Sequence, residues 1–325
     1  MVQNLQSDKK QKLMKNGFWF VAIGAAFWGI NPLFRMLLLD SFTSAQIVLL
    51  EHVLLMVIAL PLLWVNRADL KSVKLKHVGA IIFIAWGGSA FATILFTLGL
   101  TYGEINVVLL LQQLQPLFAI FLARIILKEA LPKHFTTAVI IALLGTYLLT
   151  FGFAFPFHSF GDFFQTASLL SIAAAALWGG STVMGRYLLH DMKYETVTAL
   201  RFIVALPLLI MIVAFQGAAW SIPATAGSSA LLFVNLAASA LIPGLLSILI
   251  YYKGLANTKA SLATIAELSF PTVALVINWF AFNEVITIPQ LVGFLFIWGT
   301  MYFLSIQKNP LKKRDKSKHE PLTSH

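Results

Sequence analysis

Long hydrophobic runs, separated by short polar connections, fill the chain between residues 17 and 306. Ten such runs predict helices at residues 17–39, 43–65, 77–101, 104–127, 132–151, 164–189, 194–215, 228–254, 259–281 and 287–306. Several are continuous apolar stretches of about 20 residues, the length that crosses the hydrocarbon layer of a bilayer. The runs at 104–127, 164–189 and 259–281 carry more polar residues and indicate a span less strongly by themselves. The pattern predicts an all-α membrane protein with ten transmembrane helices.

The composition also fits a lipid environment. Of the 325 residues, 59% are hydrophobic and only 11% are charged, whereas about a quarter of a soluble domain is charged. This is too little charge to cover a water-soluble surface. The 27 Phe and 8 Trp residues are the opposite of a disordered composition. Because ten spans need about 200 residues, little of the chain is left for a soluble domain.

Basic residues collect on one side of the predicted helices. With the N-terminus in the cytoplasm, the two tails and the even-numbered connections contain 21 of the 23 Lys and Arg residues. The other two, Arg35 and Arg201, lie inside spans. Cytoplasmic segments of membrane proteins are enriched in Lys and Arg. We therefore predict a multi-pass protein of the cell membrane whose tails, residues 1–16 and 307–325, are both cytoplasmic.

The two halves of the chain resemble each other. Two motifs of the first half reappear 150 residues later, and three more reappear 155 residues later, in the same order. The pairs are Phe27-Trp28-Gly29 with Leu177-Trp178-Gly179, Leu50-Glu51-His52 with Leu200-Arg201-Phe202, Leu98-Gly99-Leu100 with Lys253-Gly254-Leu255, Gln115-Pro116 with Phe270-Pro271, and Lys128-Glu129 with Asn283-Glu284. They indicate two repeats, at 17–151 and 164–306, joined by an external linker at 152–163.

Each repeat contains five predicted spans. Since five is an odd number, the second repeat enters the membrane from the opposite face, and the two repeats have inverted topology. This plan recurs in secondary transporters, in which the repeats rock around a binding site near the middle of the membrane. The repeat therefore favours a transporter, and a duplicated helical bundle without a transport role is the alternative.

With these motifs, the sequence resembles the EamA-type family of the drug/metabolite transporter superfamily. The resemblance covers residues 17–306. It is carried by the alanine-rich runs into Trp28-Gly29 and Trp178-Gly179, by Ala199-Leu200-Arg201-Phe202, and by Pro116 and Pro271, followed 13 residues later by Glu129 and Glu284. The resemblance implies ten helices in two five-helix halves around a central cavity. It also implies export or exchange of small metabolites, often amino acids.

The chain departs from the family pattern at three positions. Gln115 and Phe270 stand where the family usually has an acidic residue directly before the proline. Glu51 replaces the usual arginine of the second span. The resemblance therefore does not identify the substrate.

Four charged or polar side chains lie deep within predicted spans. Arg201 and Glu267 lie seven and eight residues from the predicted cytoplasmic ends of their spans, a depth of roughly 10–12 Å. Glu51 and Gln112 are their equivalents in the first repeat, at mirrored depths. Since a charge inside a bilayer costs at least a few kcal/mol, each charged group needs a partner or a function. We predict that these four residues belong to the substrate-binding or coupling site.

The roles of these groups have two interpretations. Glu267 and Glu51 are carboxylates that couple protons or bind substrate, because a carboxyl group in a low dielectric binds a proton more readily. Arg201 then holds a substrate carboxylate or modulates Glu267. In the other interpretation, Arg201 and Glu267 form a static pair between two helices, and Glu51 pairs with His52 or Arg35. His52 either titrates near neutral pH or is hydrogen-bonded between helices.

Aromatic residues are further candidates for the site. Trp28 and Trp178 lie at equivalent points within their spans, away from the interfaces where Trp usually collects. They line a cavity and stack on a substrate, or they pack beside Gly29 and Gly179. Tyr252 lies near a helix end, where it is an interfacial anchor or faces the cavity.

Prolines interrupt three of the predicted spans. Pro32 follows Asn31 in the first span, and Pro116 and Pro271 interrupt the fourth and the ninth. A proline removes a backbone donor and frees a carbonyl group, so a kinked polar stretch can line water or substrate. We predict hinges at these prolines and place Asn31 and Gln113 among the binding candidates. Plain packing kinks are the alternative.

Motifs for other kinds of chemistry are absent from the sequence. It has no P-loop, no HExxH and no G-x-S-x-G. It also has no cysteine, and its seven histidines are scattered. We predict no catalytic residue, no cofactor and no metal site. Because the basic residues follow the membrane topology, we predict no nucleic-acid partner despite the net charge of +10.

The sequence as a whole predicts a secondary transporter or exchanger of a small organic metabolite. An amino acid or a related amphipathic compound is the leading substrate class, moved outward by alternating access. Its partners are the substrate, the lipid bilayer and, if Glu51 and Glu267 couple transport, protons. The sequence does not separate a monomer from a homodimer. Two alternatives are a membrane sensor or scaffold, which binds a ligand without moving it, and an integral membrane enzyme that modifies lipids.

Overall fold

The computed structural model describes residues 16–102, 105–155, 165–221, 226–282 and 285–307. All regular secondary structure in these residues is helical. The two predicted cytoplasmic tails, most of the predicted external linker, Glu284 and the side chains of Pro32 and Arg35 lie outside the described residues.

The helices follow the hydrophobic runs of the sequence. In the first half they are α1 (Asn16–Trp28), α2 (Asn31–Leu39), α3 (Ser44–Val65), α4 (Leu75–Ile82), α5 (Ala92–Tyr102), α6 (Ile105–Gln112), α7 (Gln115–Ile126) and α8 (Phe135–Phe151). In the second half they are α9 (Thr166–Leu188), α10 (Tyr194–Gln216), α11 (Ala226–Ser239), α12 (Ser247–Leu255), α13 (Ala260–Ala266), α14 (Ser269–Phe282) and α15 (Ile288–Ile306). The outer ends of every predicted run lie within three residues of described helix ends.

Seven helical stretches among the described residues are long and apolar enough to cross a membrane. They are Ser44–Val65, Leu75–Gly99, Thr166–Leu188, Tyr194–Gln216, Ser229–Leu255, Ala260–Ile277 and Ile288–Ile306. Three shorter apolar helices, Asn16–Trp28, Leu110–Ile126 and Phe135–Phe151, occupy the remaining predicted runs. The protein is therefore an all-α, multi-pass membrane protein, and the count of ten spans stays a prediction.

Helix breaks coincide with the three prolines. The chain leaves helical geometry between α1 and α2, between α6 and α7, and between α13 and α14. Pro32 and Pro116 lie in the first turn of the helix that follows the break, and Pro271 is the third residue of α14. A proline fits a first turn because its missing N–H would have no partner within the helix there. The helices are therefore interrupted beside all three prolines, and the hinge role of these prolines stays a prediction.

Two longer helices contain π-helical segments at equivalent positions. One is Phe83–Phe91, between α4 and α5, and the other is Ala240–Leu246, between α11 and α12. The 155-residue offset of the sequence repeat places the second segment on residues 85–91 of the first. Since π-turns are rare and often lie at functional sites, the two halves share an uncommon feature of the backbone.

The first helices of each half pack against the other half through glycines. A Cβ atom on Gly29 would lie 2.7 Å from the carbonyl oxygen of Phe270, at the start of α14. A Cβ atom on Gly179, in α9, would lie 2.8 Å from the carbonyl oxygen of Gln115, at the start of α7. The two contacts are related by the sequence offsets of 150 and 155. Glycine is required at both positions because no side chain fits against the opposing backbone.

The connections that carry basic residues meet at one end of the bundle. The connection after α3 bonds to the one after α9, where the Lys193 N–H donates to Asp69 at 2.8 Å. Arg186, near the end of α9, donates to the Ala256 carbonyl after α12 at 3.0 Å. At the opposite end of α3, the Thr43 hydroxyl donates to Gln216 at 3.1 Å. The described even-numbered connections therefore share one end.

A charge cluster reinforces that end of the bundle. The Asp191 carboxylate accepts a hydrogen bond from Lys76 at 3.3 Å and lies 3.0 Å from the buried ring of His77. The neighbouring His190 ring and the Lys76 ammonium group hold the pKa of Asp191 well below its usual range, and His77 contributes less. The cluster joins the first turn of α4 to the connection after α9.

Candidate functional site

Glu267 is buried at the break between α13 and α14. Its Oε1 atom accepts hydrogen bonds from the Tyr251 hydroxyl at 2.6 Å and the Thr182 hydroxyl at 3.1 Å. Its Oε2 atom accepts a hydrogen bond from the Gln115 amide at 2.6 Å. Three neutral donors from α12, α9 and α7 therefore surround the carboxylate.

Arg201 projects from α10 towards the same two helices, α9 and α12. Its Nη1 atom donates to the Ser181 hydroxyl at 3.0 Å and to the Tyr252 hydroxyl at 2.8 Å. Ser181 and Tyr252 are the sequence neighbours of Thr182 and Tyr251, which bond to Glu267. Two pairs of consecutive residues on α9 and α12 thus bond to a guanidinium group and to a carboxylate group.

The two charges are not joined directly. Within the described part of the chain, no ion pair connects Arg201 to Glu267. One interpretation of the sequence was a static ion pair between Arg201 and Glu267. The structure instead shows each side chain in contact with its own neutral partners. Hydroxyl and amide groups therefore supply the hydrogen bonds that the structure gives to both side chains.

Residues of the first half complete this arrangement, which we call the Glu267–Arg201 network. It consists of Gln115, Ser181, Thr182, Arg201, Tyr251, Tyr252 and Glu267. The Trp28 ring packs on Tyr251, with ring centroids 5.2 Å apart. Gln115 comes from the first half and the other members come from the second, and Trp28 of the first half packs against them, so the network lies where the two halves meet.

Trp178 repeats the contact of Trp28 on the opposite side. Its ring centroid lies 5.4 Å from that of Phe96, and the offsets of 150 and 155 relate this pair to Trp28 and Tyr251. The Trp178 indole N–H donates to the Gly88 carbonyl at 3.1 Å, within the first π-helical segment. The two tryptophans thus hold equivalent places, but only Trp28 packs on a tyrosine that bonds to a carboxylate.

Glu51 forms a second, separate buried site. Its Oε1 atom accepts a hydrogen bond from the Ser239 hydroxyl at 2.5 Å. The same hydroxyl lies 3.4 Å from the amide oxygen of Asn31. Ser239 is the last residue before the second π-helical segment. Glu51 and Asn31, both predicted from the sequence, therefore share one partner.

The other predicted residues take different positions. His52 is buried, its Nδ1 atom lies 2.8 Å from the Val48 carbonyl of its own helix, and its ring meets Phe202 edge-on at 5.5 Å. Gln112 and Gln113 are buried at the break before α7. Tyr252 is only 1% exposed. Its interpretation as an interfacial anchor is therefore wrong, because its hydroxyl is used by Arg201.

Several residues of these two buried sites were not predicted as site residues. They are Gln115, Ser181, Thr182, Ser239 and Tyr251. One signal was present in the sequence, since Tyr251 and Thr182 replace the apolar Phe96 and Pro32 of the first repeat. A polar residue in one repeat opposite an apolar residue in the other marks a position that is not explained by packing alone.

Two halves that meet around a buried polar network form a multi-pass helical membrane protein, and comparison with known proteins gives its family. The EamA-like transporter family matches residues 15–151 and again residues 165–306. The chain belongs to this family, within the drug/metabolite transporter superfamily. The predicted resemblance is confirmed.

Relatives with assigned names are also transporters. The chain is 33% identical over 282 residues to the riboflavin transporter ImpX of Fusobacterium nucleatum, a match that covers 85% of this chain and 92% of that protein. It is 27% identical over 256 residues to the uncharacterized transporter YdfC of Bacillus subtilis, covering 78% and 79%. It is 28% identical over 166 residues to a riboflavin transporter of Brucella anthropi, covering 51% and 55%. The protein is therefore a transporter, not an enzyme.

A solved crystal structure shows the same fold. It matches with a TM-score of 0.72, and the match covers 89% of this chain and 95% of that one. At 13% sequence identity, this likeness concerns the arrangement of helices and not the substrate.

Proposed function

We propose that this protein is a secondary transporter of riboflavin or a closely related flavin. The main support for this proposal is the 33% identity to the riboflavin transporter ImpX, which extends along 92% of that protein. Similarity over nearly the full length of both chains includes every helix that contributes to the Glu267–Arg201 network. The amino acids favoured from the sequence become the second candidate.

The chemistry of the network suits a flavin. The flat ring system of a flavin stacks on aromatic faces such as those of Trp28 and Trp178. Its imide N–H is a donor that the Glu267 carboxylate can accept, and its ring carbonyl oxygens are acceptors for the Arg201 guanidinium. The ribityl hydroxyls pair equally well with neutral serine, threonine and glutamine side chains. A flavin thus uses both the charges and the aromatic rings.

An amino acid is supported by a different feature. Arg201 and Glu267 present opposite charges side by side without an ion pair between them among the described residues. A zwitterion could place its carboxylate on the guanidinium and its ammonium on the carboxylate. This complementarity is the reason to include amino acids in the transport assay.

We further propose export by alternating access between inverted repeats at 17–151 and 164–306, with both termini cytoplasmic and with Glu267 as the proton-coupling group. The shared offset of the Gly29 and Gly179 contacts supports the pairing of the repeats. The position of the described even-numbered connections at one end of the bundle supports the orientation. A proton on Glu267 would compete with its three donors, and this competition links protonation to the network.

The test is counterflow of labelled riboflavin and of an amino-acid panel in proteoliposomes, with and without a pH gradient. The wild type is compared with Glu267→Gln, and Glu195→Gln at the start of α10 is the matched control. The glutamine side chain at position 267 has an N–H donor group where the carboxylate has an acceptor oxygen. This donor group would face neighbours that themselves donate hydrogen bonds, so hydrogen bonds of the network would be lost. We expect saturable riboflavin exchange that falls by at least about tenfold in Glu267→Gln and is unchanged in the control.

The other outcomes separate the rival functions. Exchange of an amino acid without riboflavin would replace the proposed substrate by the second candidate. Riboflavin binding without exchange would favour the sensor or scaffold. If the exchange rate changes neither with the pH gradient nor in Glu267→Gln, proton coupling through this residue is contradicted.

A further inference from the structure

Glu129 belongs to the first half, but its carboxylate binds the second half. It lies in the connection after α7 and reaches the first turn of α13. Its Oε1 atom accepts a hydrogen bond from the Ala260 N–H at 2.8 Å. Its Oε2 atom accepts hydrogen bonds from the Ser261 N–H at 3.0 Å and the Ser261 hydroxyl at 2.7 Å. These N–H groups have no partner within their own helix, so Glu129 satisfies them.

Two basic residues strengthen the same contact. The Lys259 ammonium group donates to the Ala130 carbonyl at 2.5 Å, and Arg124 donates to the Glu129 carbonyl at 3.0 Å. Lys259 is buried, so its hydrogen bond is shielded from water. We call this set of contacts around the carboxylate the Glu129 latch.

The helix held by the latch also carries Glu267. α13 has seven residues, all buried, and Glu267 follows directly at its C-terminal end. There Glu267 accepts a hydrogen bond from Gln115, the first residue of α7. α7 and α13 therefore run in opposite directions, and a carboxylate joins the two helices at each end of their contact.

Alanines contribute to the contact between α7 and α13. Ala119 and Ala123 of α7 form one buried cluster with Ala260 of α13 and with Val183 of the neighbouring helix α9. Small side chains interdigitate little, so two helices joined through them can separate without many rotamer changes. We call this contact the α7–α13 seam, and it lies between the two halves that alternating access must move apart.

We propose that Glu129 is a positioning residue of the transport site, which closes the α7–α13 seam and, through α13, holds Glu267 against Gln115. The proposal rests on the proposed transport function, since only a transport cycle requires the seam to open. Breaking the latch frees one end of a short rigid helix, so the seam opens more often and Glu267 loses its fixed position.

The absence of cysteine from the sequence allows a direct test. A single cysteine is introduced by Ala123→Cys, at a seam position that is 0% exposed. The rate of its reaction with N-ethylmaleimide then measures how often the seam opens, in purified protein and without any substrate. The rate is compared in backgrounds carrying Glu129→Ala, Glu129→Gln, Glu129→Asp or the control Glu195→Gln.

A second reporter separates local opening from unfolding. Ala142→Cys places the cysteine in α8, at a position that is also 0% exposed and outside the seam cluster. We expect Glu129→Ala to speed labelling at position 123 by on the order of tenfold, the factor expected for losing charge-assisted hydrogen bonds. Glu129→Asp should restore slow labelling at position 123 in part, and the labelling rate of Glu129→Gln should lie between those of Glu129→Ala and Glu129→Asp. Labelling at position 142 should stay slow in every background.

Three results would overturn the latch. They are wild-type labelling at position 123 in Glu129→Ala, equal acceleration at positions 123 and 142, or the same acceleration in Glu195→Gln. Because no substrate is present, a failure of riboflavin or amino-acid exchange leaves this measurement unaffected. Failure of the proposed substrate and failure of the latch are therefore distinguishable.

Discussion

At the scale of single residues, Arg201 and Glu267 show how groups of opposite charge are held within a membrane protein without a direct contact between them. Each is stabilised by neutral groups, and consecutive residues of the same helices supply them. A direct ion pair would satisfy both charges but would leave nothing for a ligand. Separate neutral partners stabilise both groups, and this arrangement supports the proposal that they bind a ligand.

Arg201→Lys should abolish most transport while the fold is retained. A guanidinium group reaches two acceptors, Ser181 and Tyr252, in a fixed geometry, whereas a lysine ammonium is a single point charge on a flexible chain. We expect counterflow to fall by about tenfold or more with little change in the unfolding temperature. Arg67→Lys, in the exposed connection after α3, is the matched control. Wild-type exchange by Arg201→Lys would show that the guanidinium geometry is not used.

At the scale of helices, irregular backbone brings the polar residues together. The breaks beside Pro116 and Pro271 carry Gln115 and Glu267, and a π-helical segment follows Ser239. In a regular helix, continuous backbone hydrogen bonds would fix the direction in which each of these residues points. The breaks free the chain to turn them towards the boundary between the halves, while close helix contacts at Gly29 and Gly179 hold that boundary together.

Gly179→Ala should destabilise the protein because its Cβ would meet backbone. The nearest atom, the Gln115 carbonyl oxygen, would be 2.8 Å away, and a helix backbone cannot move aside without disturbing its neighbours. We expect the free energy of unfolding to fall by roughly 1–3 kcal/mol, measured as a lower temperature of thermal unfolding in detergent.

Gly299→Ala is the matched control for that prediction. A Cβ there would have nothing within 4 Å, and alanine is a better helix former than glycine by up to about 1 kcal/mol. It should leave the unfolding temperature unchanged or raise it. Equal losses in the two variants would mean that close packing at Gly179 is not the cause.

At the scale of the whole molecule, the topology rests on two independent patterns. The basic residues of the sequence favour the even-numbered connections, and the structure joins the described ones at one end of the bundle. The Thr43–Gln216 contact occupies the other end. Because cytoplasmic segments are enriched in Lys and Arg, this arrangement supports the proposal that the basic end faces the cytoplasm.

Single cysteines test that orientation in intact cells. Lys316→Cys lies in the predicted cytoplasmic tail and Phe153→Cys at the start of the predicted external linker. A membrane-impermeant maleimide should label only Phe153→Cys in intact cells and both variants after permeabilisation. Labelling of Lys316→Cys alone in intact cells would place the termini outside and reverse the topology.

The hydrophobic pattern by itself determined the helical runs, because the length of an apolar stretch is a local property that the bilayer dictates. The repeat and the family were also readable from the sequence, since they depend on the order of short motifs. The same holds for the buried charges: a carboxylate such as Glu267 is conspicuous in an apolar run. The helix breaks at the prolines followed for the same reason, from the covalent structure of one residue.

Which residues meet depends on the packing of the helices. Gln115 was merely a departure from a family pattern until packing placed it 2.6 Å from Glu267, and Glu129 was only a repeated motif until it capped α13. Arg201 and Glu267 were expected near each other, but the hydroxyls that separate them were not. These partners are up to 152 residues apart in the chain. Their contacts depend on how whole helices pack, and no local pattern along the sequence encodes that choice.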